Sequence, residues 1–138
     1  MKLLILFALF SMAFASWKFN MDANVLKDWL IMMEPYTEQC LKESNVNKEV
    51  VYNAFLNMDL PTDYNEFNCF AKCMYARLSF YYPETGKFDR ELMIAKIKGM
   101  TKHIADACYE NKYHSEELDR CSHLYNSVVC AIKKLSKE

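Results

Sequence analysis

Six cysteines, Cys40, Cys69, Cys73, Cys108, Cys121 and Cys130, constrain this chain more than any other feature. All of them lie downstream of an N-terminal stretch with the make-up of a secretory leader. Lys2 supplies its positive end, Leu3 to Phe10 reads LLILFALF, and Ala13-Phe14-Ala15 is the small-x-small pattern that signal peptidase cuts after. The apolar run is too short to span a bilayer, and polar Ser16, Lys18 and Asn20 follow at once. The expectation is a signal peptide over residues 1–15 and a single domain over 16–138, secreted and extracellular. An even number of cysteines in an exported chain of this size reads as a disulfide framework. Metal ligation is the competing reading, but no paired Cys-x-x-Cys units occur and the three histidines stand singly, so no metal site is expected.

The framework has to join helices. Only two glycines and three prolines are present, too few for the tight turns of a sandwich or barrel. Apolar residues recur at three and four through Val25, Trp29, Met32, Met33, Tyr36 and Cys40, one face of a first helix kinked or interrupted at Pro35. Asn47 caps a short second helix with Val50, Val51, Ala54, Phe55 and Met58 inside. A third begins at Thr62 or Asp63, with Glu66 placed for a capping box, and runs to about Phe80 through Phe67, Phe70, Met74 and Leu78. Tyr82 to Lys87 is a loop, Asp89 caps a fourth helix, and Gly99 is suited to end it in a left-handed conformation. Thr101 opens a fifth helix, and Ser115 a sixth that carries Leu118, Cys121, Leu124, Tyr125, Val128 and Ile132.

Helical spacing limits how the cysteines pair. Cys69 and Cys73 stand four apart on one helix, with Cβ atoms ~5–6 Å apart, beyond the reach of a disulfide. Cys121 and Cys130 lie on opposite sides of a helix, roughly 13.5 Å apart along its axis. These two exclusions remove a third of the pairings open to six cysteines and leave the others open.

Composition removes several functions. The charge is nearly balanced, 17 basic against 18 acidic residues, and about −2 once Lys2 is gone. That argues against nucleic acid, which calls for a clustered basic surface. No segment after the leader approaches the ~20 apolar residues of a membrane span. No Asn-x-Ser/Thr acceptor site occurs, so N-glycosylation is not expected. The small secreted phospholipases need a His-Asp pair and a Gly-rich calcium loop beside adjacent cysteines, and none of these is present. Gly-x-Ser-x-Gly and His-Glu-x-x-His are also missing, so no enzyme activity and no cofactor are expected.

Taken whole, the spacing Cys40-x28-Cys69-x3-Cys73-x34-Cys108-x12-Cys121-x8-Cys130 resembles the six-cysteine signature of the insect odorant-binding proteins, the pheromone- and general-odorant-binding family. The x3 and x8 intervals are the diagnostic ones. Cys40-Leu41-Lys42-Glu43, Cys69-Phe70-Ala71-Lys72-Cys73-Met74 and the lone Gly86 support it, and the likeness covers the whole mature chain. It implies an all-α fold: a compact six-helix bundle closed by Cys40–Cys73, Cys69–Cys121 and Cys108–Cys130 around an apolar cavity. It also implies carriage of small hydrophobic ligands, odorants, pheromones or similar lipophiles. A chemosensory receptor and a second copy of the chain are the candidate protein partners. One departure is the short charged tail after Cys130, AIKKLSKE. In longer-tailed relatives this segment folds in and walls the cavity; Lys133, Lys134 and Lys137 argue against that here.

The expected lining is Tyr36 of the first helix, Met74 and Phe80 of the third, Met93 and Ile97 of the fourth, Ile104 of the fifth, and Leu124 and Val128 of the sixth. Ile104 and Val128, four before Cys108 and two before Cys130, match places that commonly face ligand in the family. The competing reading of each residue is ordinary core packing. Burial of about ten methylenes at roughly 0.8 kcal/mol each bounds binding near micromolar or weaker. Tyr36 or Tyr125 is placed to hydrogen-bond a ligand oxygen, against the alternative that a buried tyrosine bonds a backbone carbonyl. His103, His114 and His123 raise a pH switch, with weaker binding at about pH 5 than at about pH 7. A secreted scavenger or interaction protein (seminal, salivary or venom) would carry the same features.

Overall fold

A computed structural model describes residues 16–110 and 120–136. The leader, the start of the last helix at Ser115 and Leu118, His114 and Lys137 lie outside the described residues. The order is β1 (Ser16–Lys18), α1 (Ala23–Ser44), α2 (Lys48–Asn57), β2 (Asp59–Pro61), α3 (Asn65–Arg77), β3 (Tyr81–Tyr82), β4 (Lys87–Phe88), α4 (Arg90–Lys96), α5 (Lys102–Cys108) and α6 (Arg120–Leu135). The fold is an all-α bundle of six helices with three disulfides.

Helix starts follow the side chains that cap them. Asp22 accepts from the Asn24 amide at 2.8 Å, Asn47 from Glu49 at 2.8 Å, Asp89 from Leu92 at 3.0 Å and Thr101 from Ile104 at 3.2 Å. Each satisfies an amide that the first helical turn cannot. The third helix departs from expectation. Its N-cap is Tyr64, with no side-chain capping bond, so neither Thr62 nor Asp63 starts it and no capping box forms. Residues 59–61 are held in β2 against β1, and the chain turns afterwards through Asp63 at φ +53°. The helix also ends at Arg77, not Phe80, because Ser79 at φ +64° turns the chain and buries Phe80.

Pro35 does not interrupt α1, which runs unbroken for 22 residues. The carbonyl deprived of a partner is that of Ile31, a residue on the exposed side of the helix, where water can serve it. The expected loop at 82–87 is a hairpin: Tyr81 pairs with Phe88, Tyr82 with Lys87, and Gly86 takes φ +72° at its turn. Gly99 is left-handed at φ +89° as expected, but it lies two residues beyond Ile97, the cap of α4.

α3 is the hub, packed between α1 and α6. Cys40–Cys73 ties it to α1, Cys69–Cys121 ties it to α6, and Cys108–Cys130 ties α5 to α6. All three expected pairs are formed. The N-terminal strand is held as well, with Ser16 opposite Pro61, the Phe19 amide on the Met58 carbonyl at 3.0 Å, and Trp17 stacked on Tyr125.

The turn after α4 is fastened across the bundle. Trp29 Nε1 donates to the Lys98 carbonyl at 3.1 Å, and Lys98 pairs with Asp28 at 3.0 Å. A Cβ built on Gly99 would stand 3.2 Å from Leu135 Cδ2. Gly99→Ala combines a left-handed alanine with this contact and should cost about 1–2 kcal/mol. A urea midpoint equal to that of the parent would contradict this account of the turn.

Candidate functional site

The bundle leaves a hollow of about 70 Å³ beside α3. α3 lends Phe70, Ala71, Met74, Tyr75 and Leu78, and α1 lends Trp29, Met32 and Met33. α6 contributes Val128, Ala131, Ile132 and Leu135, and the ring is completed by Phe55, Phe80, Ile97, Met100 and Tyr109. These positions follow from helical phase: 71, 74, 75 and 78 share one side of α3, as 128, 131, 132 and 135 share one side of α6.

The hollow is small. A dry cavity that accepts benzene measures about 150 Å³, roughly twice this one. A larger guest therefore has to displace side chains, and the wall is built to yield. Met32, Met33, Met74 and Met100 line it, and the unbranched thioether chain changes shape at little cost.

Four of the eight expected lining residues, Met74, Phe80, Ile97 and Val128, reach the hollow, and four do not. Leu124 is buried one turn before Val128, at the level where Cys69–Cys121 draws α6 onto α3. Met93 is wholly buried in α4, while Ile97 and Met100 of the following turn reach the hollow instead. Ile104 is half-buried on α5, whose contribution comes from Tyr109 just past its end. Tyr36 is half-buried one turn beyond Met33, near the Cys40–Cys73 bridge.

The tail also corrects its expectation. Residues 131–135 continue α6, so Lys133 and Lys134 point to solvent while Ala131, Ile132 and Leu135 face the hollow. A helix can carry charged and apolar residues in alternation along the chain and still present one apolar face.

The lining contains no carboxylate, imidazole, thiol or ammonium group. Among the described residues no three His, Cys, Asp or Glu side chains gather to hold a metal ion. No described helix is long and apolar enough to cross a membrane. His103 is exposed on α5 and His123 half-buried on α6, and neither belongs to the lining.

The wall also holds a tyrosine pair that the sequence reading passed over. The hydroxyls of Tyr75 and Tyr109 stand 2.6 Å apart, and the rings stack at 5.9 Å between centroids. Tyr75 belongs to the 71–74–75–78 stripe, and that periodicity was the signal that could have found it. Tyr125, by contrast, donates to the Pro61 carbonyl at 2.7 Å and faces away from the hollow.

Tyr75 is half-buried, and burial pushes its pKa up to about 12 against the opposing hydrogen bond from Tyr109. Burial raises Tyr109 well above the ordinary tyrosine value, with the charge and hydrogen bond of Tyr75 adding to it. An unfolded tyrosine ionises near 10. From about pH 10 upward the unfolded chain loses protons that the folded one retains, so stability present below pH 10 falls as pH rises toward 12. Urea midpoints at about pH 8 and about pH 11 should show this fall, and Tyr75→Phe with Tyr109→Phe should reduce it, leaving the share of Tyr125, which burial also raises. A drop of equal size in the double variant would assign the effect elsewhere.

Residues 22–134 match the model of the PBP/GOBP family. No match was found among curated proteins or among solved structures.

Proposed function

The chain belongs to the PBP/GOBP family, the insect odorant-binding proteins, and from that membership we propose that it is a secreted carrier of small hydrophobic molecules. In this reading residues 1–15 are cut off near Ser16, and residues 16–138 form one extracellular domain. The observation that carries the reading is the apolar hollow between α1, α3 and α6, lined by four methionines and by the end of α6. Such a wall excludes water and grips by contact area, which suits molecules of variable shape. The disulfides support it further. They tie the helices together at fixed points, so the bundle keeps its frame while side chains between them shift.

The test is titration of the oxidised domain, residues 16–138, with the apolar fluorophore N-phenyl-1-naphthylamine. Emission should rise and shift to the blue with a dissociation constant of about micromolar, and small lipophiles should displace the dye. Absence of any emission change at high protein concentration would remove the carrier reading.

A further inference from the structure

The groups in the wall that could hold a polar guest are already committed to one another. Most of the wall is helix, in which α1, α3 and α6 present side chains over backbone hydrogen-bonded along the helix axis. Where the wall leaves helix, the backbone is paired as well. The Phe80 amide donates to the Tyr75 carbonyl at 2.9 Å, and the Phe80 carbonyl accepts from the Asp89 amide at 2.8 Å. Ile97 donates to the Met93 carbonyl at 2.8 Å and accepts from the Met100 amide at 3.0 Å. The Tyr109 amide donates to the Ala105 carbonyl at 2.9 Å.

The lining side chains carry nitrogen or oxygen at three positions only. Trp29 Nε1 is held by the Lys98 carbonyl at 3.1 Å, and the Tyr75 and Tyr109 hydroxyls are bonded to each other at 2.6 Å. Almost no oxygen or nitrogen surface borders the space, so what these three residues turn toward it is ring carbon. The two tyrosines expected to meet a ligand oxygen both stand elsewhere. Tyr125 donates to the Pro61 carbonyl, and Tyr36 lies outside the lining.

A guest in this hollow meets carbon and sulfur. An oxygen that enters gives up its hydrogen bonds with water and gains none from the wall, whereas a hydrocarbon has none to lose. We propose that the hollow is a hydrocarbon site, which prefers molecules built of carbon and hydrogen over ketones, aldehydes, esters and alcohols of the same shape. This rests on the carrier reading and adds the chemical class of the cargo. The selection works by penalty: no group recognises the hydrocarbon, and the wall disfavours its oxygenated counterpart.

The experiment displaces N-phenyl-1-naphthylamine from the oxidised domain with 2-methyl-1-heptene and with 2-heptanone, in which oxygen replaces the terminal methylene. The alkene also leaves water more readily. The quantity read is therefore the alkene-to-ketone affinity ratio divided by the same ratio for partition from water into 1-octanol. Octanol donates a hydrogen bond to the ketone and this wall does not, so the quotient should be about threefold to tenfold, the range of one net neutral hydrogen bond. A quotient under about twofold would mean that the protein gives the ketone a hydrogen bond. The hydrocarbon site would then be overturned and the carrier reading would stand. A parent protein that binds no dye would overturn both.

A variant supplies what the wall lacks. Met32 is half-buried in the lining, and Met32→Gln puts an amide donor there. The quotient should fall about threefold to tenfold, because the ketone then finds the missing bond. An unchanged quotient in a variant that still binds dye would place the guests away from this wall, and the hydrocarbon site would fall with it.

Discussion

Replacing Ala71 with leucine should weaken binding of an apolar probe about fiftyfold and leave the fold intact. Ala71 lies on α3 between Phe70 and Met74, and its methyl faces the hollow. Leucine adds three carbons at that point, into a space of only about 70 Å³. A guest then loses the contact area those carbons occupy, equivalent to about three methylenes at roughly 0.8 kcal/mol each, which converts to about fiftyfold. Filling an existing hollow does not force side chains from their rotamers as overpacking a dense core does, so the thermal midpoint should hold or rise. Both readings come from one preparation: dye titration and a melting curve. Unchanged affinity in a well-folded variant would place the guest elsewhere on the protein, and the hollow would lose its role.

Removing the Cys69–Cys121 bridge should have the largest effect on stability. Its partners are 52 residues apart, against 33 for Cys40–Cys73 and 22 for Cys108–Cys130. Because a longer closed loop restricts the unfolded chain more, the double replacement Cys69→Ser with Cys121→Ser should cost about 4 kcal/mol. That is a large share of the ~5–15 kcal/mol that holds a domain together, and it corresponds to a fall of about 15 °C in the midpoint. The ordering among the three bridges follows from loop length alone, but their predicted costs differ by less than 1 kcal/mol. The sharper expectation is local. Cys69–Cys121 joins α3 to α6, the two helices that give the hollow most of its wall, so its loss should also weaken dye binding. A variant that melts within about 5 °C of the parent would show that packing of α6 on α3 does not need the bridge.

What was legible in the sequence acts locally in the chain. Caps at Asn47, Asp89 and Thr101 act within three residues of themselves and were legible for that reason. The start of α3 was not, because β2 is held by a strand more than 40 residues earlier, and that pairing moves the turn to Asp63. Half of the expected lining residues stand away from the hollow for a related reason. Helical periodicity tells which side of a helix is apolar, but not the height along its axis at which a neighbour leaves space. Leu124 and Val128 share a face of α6, yet only Val128 meets the hollow.

The tail shows the same limit from the other direction. Its lysines count against burial when the segment is treated as a strip of charge. Once α6 continues through residue 135, they fall on the outer side and Leu135 falls on the inner one.

Cysteine number and spacing, together with the scarcity of glycine and proline, determined by themselves that this chain is a cross-linked bundle of helices, since each acts through covalent geometry or local backbone freedom. Tertiary structure alone decided which side chains enclose empty space and that Tyr75 and Tyr109, 34 residues apart, meet there. A void exists only where several elements fail to fill a volume together, and no single stretch of sequence contains that information.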